Sequence, residues 1–251
     1  MRLLLLSDVH ANLEAAQACL DAAPAHDWAI NLGDLVGYGA SPNEVLVLLR
    51  DFCRRHVRGN HDAAVAGLTS LDTFNPLAAL AVQWTRQALS AANTRWLREV
   101  PSGPLRIPGL KGLLWAHGSP FAEDEYLIEI RHASETLLRV RSAVTFFGHS
   151  HLQGGFGLAQ RCCTELHPAI APGNGFASCQ LTLDRAARYL INPGSVGQPR
   201  DGDWRAAFAL YDTERAEVTF YRVPYDVARS QQRILDAGLP ERLADRLSSG
   251  H

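Results

Sequence analysis

The stretch TFFGHSHLQ, residues 145–153, runs from an apolar segment directly into two histidines. A short apolar run that ends in glycine is typical of a buried β-strand, and the end at Gly148 places His149 and His151 close together. A His-x-His pair carries little information by itself in a chain with 10 histidines among 251 residues. The pair therefore indicates a particular fold only if other predicted strands also end in residues that can bind a metal ion.

Similar short apolar runs occur four more times before residue 120, with helical patterns between several of them. They are RLLLLS (2–7), WAINLG (28–33), RHVRG (55–59) and GLLWAHG (112–118). This alternation predicts an α/β fold, in which sites lie at the carboxyl ends of the strands. A tight turn would explain any one of the polar residues that follow these strands, because Asp, Asn and Ser are common in turns. It does not explain why such residues follow one strand after another. These residues are Asp8, His10, Asp34, Asn60, His61, Asp62 and His117.

This ordered set resembles the five motifs of the calcineurin-like metallophosphoesterases: SDVH (7–10), GD (33–34), GNHD (59–62), AHGSP (116–120) and GHSH (148–151). A further segment, NPGSVG (192–197), resembles part of the compact prokaryotic phosphodiesterase branch. The resemblance implies a four-layer αββα sandwich of two mixed β-sheets flanked by helices. We expect residues 1–251 to form a single metallophosphoesterase domain with a helical insertion at about 63–100.

The metal ligands that the resemblance implies form two groups with one shared carboxylate. Asp8, His10 and His151 belong to one ion, Asn60, His117 and His149 belong to the other, and Asp34 bridges both. Nitrogen and oxygen ligands without thiolate suit Mn²⁺, Fe²⁺ or Fe³⁺, Zn²⁺ and Ni²⁺, of which we favour Mn²⁺ or iron. Two such ions about 3.5–4 Å apart hold a bridging hydroxide for in-line attack on a phosphoryl group.

His61 does not fit as a ligand, and the resemblance makes it the general acid that protonates the leaving alkoxide. Protein Ser/Thr phosphatases of the superfamily continue the second motif as Gly-Asp-x-x-Asp-Arg-Gly, whereas this chain reads GDLVGYG (33–39). Gly37 and Tyr38 replace the carboxylate that orients the acid and the arginine that binds phosphate. Asp62 is a candidate replacement for that carboxylate, with a simple turn aspartate as the alternative. The departure favours the phosphodiesterase branch over a protein phosphatase.

Phosphate recognition must then come from another segment, and INPGSVGQPRDGDW (191–204) is the candidate. Its glycines allow backbone amides to approach an anion, Asn192 and Ser195 can donate hydrogen bonds, and Arg200 can bind an oxygen pair. These three residues are the predicted substrate-binding residues. A tight structural turn followed by a solvated arginine is the alternative.

The region after Asp62 changes to helical spacing, in NPLAALAVQWTRQALSAAN (75–93) and TRWLREV (94–100). We expect a helical insertion that acts as a lid over the substrate pocket or as an interface in a homo-oligomer. Trp84 and Trp96 are predicted to pack inside this insertion rather than to stack on nucleic-acid bases.

Net charge, cysteine content and the length of apolar runs indicate which partners and which location to expect. With 24 basic and 26 acidic residues, the net charge of −2 gives no strong nucleic-acid signal, so we expect a small phosphoester or nucleotide-derived substrate. Five cysteines without CxxC spacing predict a reducing, cytoplasmic location. The first apolar run, Leu3 to Leu6, is shorter than the ~7 residues that a signal peptide needs, and no run approaches the ~20 of a membrane span.

The leading hypothesis is a metal-dependent phosphoesterase that hydrolyses phosphodiester bonds. A phosphomonoesterase or a dinucleoside polyphosphate hydrolase is the first alternative, since the same metal pair attacks all three ester types and the pocket walls decide between them. A non-catalytic metal-binding scaffold is the second alternative. It predicts that at least one ligand position is replaced, whereas all seven are present here.

Overall fold

Two β-sheets packed face to face form the centre of the fold. The computed structural model describes residues 1–251. The strands are β1 (Arg2–Leu6), β2 (Trp28–Asn31), β3 (Arg55–His56), β4 (Leu113–Trp115), β5 (Val144–Phe146), β6 (Gly154–Ala159), β7 (Cys162–Leu166), β8 (Ala177–Thr182), β9 (Arg188–Asn192), β10 (Ala206–Asp212) and β11 (Glu217–Val223). One sheet has the order β3-β2-β1-β10-β11-β8, and the other has the order β4-β5-β9-β6-β7. Both sheets are mixed, as the sequence predicts.

Eight helices accompany the sheets. They are α1 (Leu13–Ala22), α2 (Pro42–Phe52), α3 (Asn60–Val65), α4 (Pro76–Ala88), α5 (Ala91–Glu99), α6 (Ile130–Arg139), α7 (Val227–Asp236) and α8 (Glu241–Ser249). The start of α2 follows Ser41, but the Ser41 side chain makes no capping hydrogen bond, so the capping box that Ser41 and Glu44 suggest is not formed. No helix combines the length and apolar composition that a membrane crossing requires.

The run of leucines in β1 is explained by burial on both faces of its sheet. Leu3 and Leu5 pack into the core between the two sheets, while Leu4 and Leu6 pack against α1 and α2 on the other face. On the far side of the second sheet, α6 packs through Leu137 and its neighbours. The layer order is therefore helix, sheet, sheet, helix, which confirms the predicted αββα sandwich.

Parallel pairing places the ends of the motif-bearing strands together. β1 pairs in parallel with β2, and β2 pairs in parallel with β3. In the second sheet β4, β5 and β9 are also parallel neighbours. Because the carboxyl ends of parallel strands meet at one edge of a sheet, the loops after β1, β2, β3, β4 and β5 converge where the two sheets meet.

Between β3 and β4 the chain forms α3, α4 and α5, in the region where the sequence predicts helices. The buried face of α4 includes Ala78, Ala81 and Val82, whereas Leu80 is 51% exposed. Trp84 and Trp96 pack against core clusters that also include residues outside this region, so they are packing residues but not of a separate core within the predicted insertion. α4 also packs with α7 and α8 over the loop after β2.

Candidate dinuclear metal centre

The predicted ligands leave their strands in a rare backbone conformation. Five of them have positive φ angles: Asp8 (53°), His10 (48°), Asp34 (54°), His149 (65°) and His151 (61°). Non-glycine residues seldom adopt this left-handed region, and such strain is concentrated at functional sites. It lets short loops turn successive side chains toward one point between the sheets.

The side chains that converge there form two groups with one member in common. The first group is Asp8, His10, Asp34 and His151, the second is Asp34, His117 and His149, and within each group the donor atoms lie within 4.8 Å of one another. All of these residues are buried. The Oδ2 atom of Asp34 lies 3.6 Å from Nε2 of His10 and 3.3 Å from Nε2 of His117, so this carboxylate faces both groups.

Asn60, the remaining predicted ligand, belongs to the second group. Its Oδ1 atom lies 3.1 Å from Nε2 of His117. The structure thus brings all seven predicted ligand residues together, and it sorts them into the same two groups that the resemblance implies. Their roles as metal ligands stay predictions.

Hydrogen bonds to backbone carbonyls fix which nitrogen each histidine turns inward. A carbonyl only accepts, so the ring nitrogen facing it carries a proton, and in a neutral ring the other nitrogen then presents a lone pair. The four bonds are His10 Nδ1 to Val36 O (3.2 Å), His117 Nδ1 to Leu32 O (2.9 Å), His151 Nδ1 to Gln198 O (2.5 Å) and His149 Nε2 to Asp124 O (3.1 Å). This arrangement is typical of metal-binding histidines.

The contact between His10 and His151 shows that the centre fits a cation. Their Nε2 atoms lie 3.1 Å apart, and both Nδ1 atoms donate to carbonyls. Burial lowers the pKa of both rings well below the ordinary histidine value, which keeps them neutral. Two lone pairs at this distance repel each other, and a shared metal ion relieves that repulsion. The donor set of imidazole nitrogens and carboxylate oxygens suits divalent transition metals.

Asp34 supplies the central negative charge. Burial raises the pKa of its carboxyl group, but His117 and His61 outweigh that effect and hold the pKa well below the usual range. In turn, burial lowers the pKa of His117, but Asp34 outweighs it and raises the pKa to about 10. The close approach of backbone to Asp34 requires glycine at position 59, since a Cβ atom there would lie 2.1 Å from Asp34 Oδ1.

His61 is oriented by packed rings. The ring centroids of Tyr38, Phe74 and His10 lie 4.5, 5.0 and 5.0 Å from that of His61. Its Nδ1 is buried without a hydrogen-bond partner and abuts Gly37, where a Cβ atom would lie 2.5 Å away. Nδ1 is therefore closed to any molecule outside the fold. The same crowding explains why no carboxylate occupies position 37.

Asp62 does not orient His61, contrary to the sequence expectation. Its Oδ2 accepts from the backbone amide of Gly59 (3.0 Å) and its Oδ1 from the amide of Val36 (3.2 Å). Asp62 caps the first turn of α3, and adjacent helical residues point in different directions, so its carboxylate faces away from the His61 ring. Its observed role is to join α3 to the loop after β2.

Asn192 and Ser195, predicted to bind substrate, have all their donors engaged within the fold. Asn192 Nδ2 donates to Gly148 O (2.9 Å) and to Ser150 Oγ (3.0 Å). Ser195 Oγ donates to Asp8 O (2.7 Å). Both residues are fully buried, so the hydrogen bonds assign them to holding the ligand-bearing loops, and the structure gives no support to substrate binding by either.

Arg200 has a different environment. Its backbone amide donates to His151 O (3.3 Å), which fixes it beside the first ligand group. Nη2 donates to Gln198 Oε1 (3.1 Å), while Nε is buried without a partner. This unpartnered donor keeps Arg200 as a candidate for substrate binding.

A cavity of about 320 Å³ opens from the second ligand group. Asn60, His61 and His149 line its inner end. The outer walls come from the insertion and from the loop before α6, and they include Thr69, Ser70, Thr73, Phe74, Asn75, Glu123, Asp124 and Tyr126. No sequence motif marked these wall residues, because they carry no fixed spacing and meet only through the fold.

A buried centre of this composition, where the strand ends of an αββα sandwich meet, defines a metallophosphoesterase. A family model described as "Calcineurin-like phosphoesterase superfamily domain" matches residues 1–216. The chain therefore belongs to the calcineurin-like phosphoesterase superfamily, a family of hydrolases that act on phosphoesters. An uncharacterized protein of Methanocaldococcus jannaschii is 33% identical over 256 residues, which cover 98% of this chain and 96% of that protein.

Solved structures agree with this assignment. The crystal structure of a metallophosphoesterase from Sphaerobacter thermophilus is 37% identical, with a TM-score of 0.82 over 100% of this chain and 99% of that one. A hypothetical protein from Pyrococcus horikoshii shares the fold at 19% identity, with a TM-score of 0.75 over 100% of this chain and 98% of that one. Both likenesses extend through α7 and α8, beyond the region matched by the family model.

Proposed function

We propose that this phosphoesterase hydrolyses phosphodiesters with two divalent metal ions. The observation that carries the proposal is the shared position of Asp34 between two buried ligand groups. Asp8, His10 and His151 would hold one ion, and Asn60, His117 and His149 the other. When bound, such a pair supplies a nucleophile derived from water at neutral pH and neutralises charge on the phosphoryl oxygens. Mn²⁺ or iron is the favoured occupant.

The chain's own residues prepare this chemistry before substrate binds. Carbonyl partners fix the orientation of four imidazole rings, so no ring needs to turn when a metal ion binds. Asp8 also accepts the backbone amide of His149 at both carboxylate oxygens, at 3.1 Å each. The amide of His61 donates to Asp34 Oδ1 (2.9 Å), which ties the proposed acid to the shared ligand.

His61 is the proposed general acid. Burial lowers the pKa of His61 to about 4, so the ring is neutral near pH 7. The negative charge of a bound phosphodiester favours the protonated ring, which can then donate from Nε2 to the leaving oxygen. Because His61 lines the 320 Å³ cavity, the leaving group would enter that cavity.

The cavity walls support a diester with a neutral leaving group. Phe74 and Tyr126 offer aromatic surface, and the Tyr126 ring stacks on His149 at 3.9 Å between centroids. Asp124 adds negative charge at the wall, which disfavours a leaving group that carries more phosphates. A nucleoside fits this description, so a nucleotide-derived diester is the proposed substrate class. The five free cysteines support a cytoplasmic location for such an enzyme.

The test is hydrolysis of bis-p-nitrophenyl phosphate and p-nitrophenyl phosphate by chelator-stripped protein. Mn²⁺, Fe²⁺, Zn²⁺, Ni²⁺ or Mg²⁺ is added back singly, and bound metal is measured in parallel. Metal-dependent turnover that favours the diester supports the proposal. Preference for the monoester replaces it with a phosphomonoesterase. Two bound ions without turnover of any phosphoester, including nucleotide diesters, would indicate a metal-binding scaffold.

A further inference from the structure

Two arginines from distant parts of the chain flank the ring of Tyr38. The guanidinium carbons of Arg200 and Arg246 each lie 5.8 Å from the centroid of that ring. Tyr38 is buried, and its ring also contacts His10 (4.8 Å) and His61 (4.5 Å). Both positive charges therefore lie one aromatic ring away from the candidate metal centre.

Neither arginine has an acidic side chain as a partner. No Asp or Glu carboxylate oxygen lies within 4 Å of Arg200 or Arg246, although Arg58, Arg205, Arg222 and Arg233 all have such partners. Nε of Arg200 is buried without a hydrogen-bond partner, and Nε of Arg246 donates to the main-chain oxygen of His251 (2.7 Å). The Arg246 side chain also interacts with the Tyr38 side chain. Two half-buried guanidinium groups side by side, one of them with a buried unpartnered donor, favour an anion as a ligand.

The C-terminal helices hold this arrangement in place. Leu243, Ala244 and Leu247 of α8 pack with α4 and with Tyr38 in one apolar cluster. Arg246 directly precedes Leu247 on the same helix and is half-buried beside the Tyr38 ring. Burial and the nearby Arg200 lower the pKa of Arg246, which is the electrostatic sign of two cations held close without a counter-ion.

We propose that Arg246 and Arg200 form a clamp for the anionic oxygens of the phosphoester, beside Tyr38 and next to the first ligand group. The clamp rests on the proposed phosphodiesterase function for its substrate, but its ligand chemistry is a phosphate oxyanion in any case. Arg200 approaches through a rigid loop beside His151, and Arg246 through a packed helix. Both groups are thus positioned before the ligand arrives.

The test compares Arg246→Met with Arg242→Met, which removes the same charge from an exposed position on the same helix. The measurements are calorimetric binding of inorganic phosphate to Mn²⁺-loaded protein, and KM and kcat for bis-p-nitrophenyl phosphate. Arg246→Met should weaken phosphate binding and raise KM about tenfold, because a charge-assisted hydrogen bond is lost. Arg242→Met should change either value less than about twofold.

Arg246→Lys keeps the charge and the packing of the side-chain stem, and it serves if Arg246→Met does not fold. It should recover most of the phosphate affinity but not all of it, because lysine cannot offer two parallel donors. Equal phosphate affinity and equal KM in wild type, Arg246→Met and Arg242→Met would overturn the clamp, as would the absence of phosphate binding by the wild type. Equal losses in Arg246→Met and Arg242→Met would also overturn it, since remote charge would then explain the effect.

These outcomes separate the clamp from the proposed function. Phosphate binding that depends on Arg246, in a protein that turns over no phosphoester, would keep the clamp and refute the phosphodiesterase. Diester turnover with Arg246→Met unchanged would keep the phosphodiesterase and refute the clamp.

Discussion

The two sides of the candidate metal centre differ in charge and in origin. On one side Arg200 and Arg246 present unpaired positive charge around Tyr38. On the other side the 320 Å³ cavity has aromatic and acidic walls that include Tyr126 and Asp124. A phosphodiester has one charged phosphoryl group and two ester arms, so the proposed substrate would be oriented by this polarity. We infer that the phosphoryl oxygens face the arginines and the leaving group faces the cavity.

The two sides also come from different parts of the chain. The segment between β3 and β4 and the loop before α6 form the cavity walls, so substitutions there leave the ligand-bearing strands unchanged. The arginine side depends on α8, which lies beyond the residues matched by the family model. Under the proposed function, substrate choice would thus be separated from the metal centre, which both sides share.

The largest effect is expected when Asp34, the carboxylate at the centre of both ligand groups, is changed. Asp34→Asn should lower kcat by at least about 10³-fold and release metal, because the shared carboxylate is lost. Metal analysis and diester hydrolysis measure both results. Circular dichroism should show an intact fold, since the change keeps side-chain volume. A variant that keeps both ions and its activity would contradict the shared role of Asp34.

The second effect isolates the cavity side. His61→Ala should lower kcat about 10²-fold or more for nucleoside diesters, whose leaving alkoxide needs a proton. The loss should be much smaller with p-nitrophenyl esters, because p-nitrophenolate leaves readily without protonation. Both metal ions should stay bound. Loss of an ion in His61→Ala would show that His61 is a ligand and not the acid.

A smaller effect tests the charge of the cavity wall. Asp124→Asn should raise kcat/KM for dinucleoside polyphosphates about two- to fivefold and leave neutral leaving groups unaffected, because one repulsive charge is removed. Its backbone carbonyl, which accepts from His149, is unchanged. Glu135→Gln, on the exposed surface of α6, is the matched control. An equal gain in both variants would mean that overall charge, and not the wall, decides.

The last prediction concerns stability away from both sides. Burial lowers the pKa of His56 to about 4, compared with 6.5 for an ordinary histidine, and its ring packs edge-on against Trp96 at 5.1 Å. Because the folded pKa is the lower one, the stabilisation is complete above pH 6.5 and is lost as the pH falls toward 4. The loss amounts to at most about 3 kcal/mol.

His56→Gln should therefore flatten the dependence of unfolding free energy on pH between 6.5 and 4, and it should leave diester hydrolysis near pH 7 unchanged. Urea unfolding of chelator-treated protein at several pH values measures this dependence. Other buried histidines titrate in both proteins, so only the difference between wild type and variant reports on His56. If the unfolding free energies of wild type and variant changed with pH in the same way, His56 would not contribute to the pH dependence of stability.

The sequence alone determined the fold class and the composition of the centre. Each ligand follows an apolar strand, and parallel strands bring their carboxyl ends together, so order along the chain predicts proximity in space. Helical spacing after Asp62 also pointed to Trp84 and Trp96 as packing residues, and both pack against core clusters. These features are local, because they depend on residue type and on the spacing between neighbours.

Only the tertiary structure decided which groups surround the ligands. Asp62 sits next to His61 in sequence, yet it bonds to Gly59 and Val36, while His61 is held by Tyr38 and Phe74. Asn192 and Ser195 likewise proved to bond to loops rather than to face the cavity. Arg246 carried no motif, and only the packing of α8 brings it near the site. Long-range packing decides which residues are neighbours in space, and the spacing of residues along the chain does not reveal that packing.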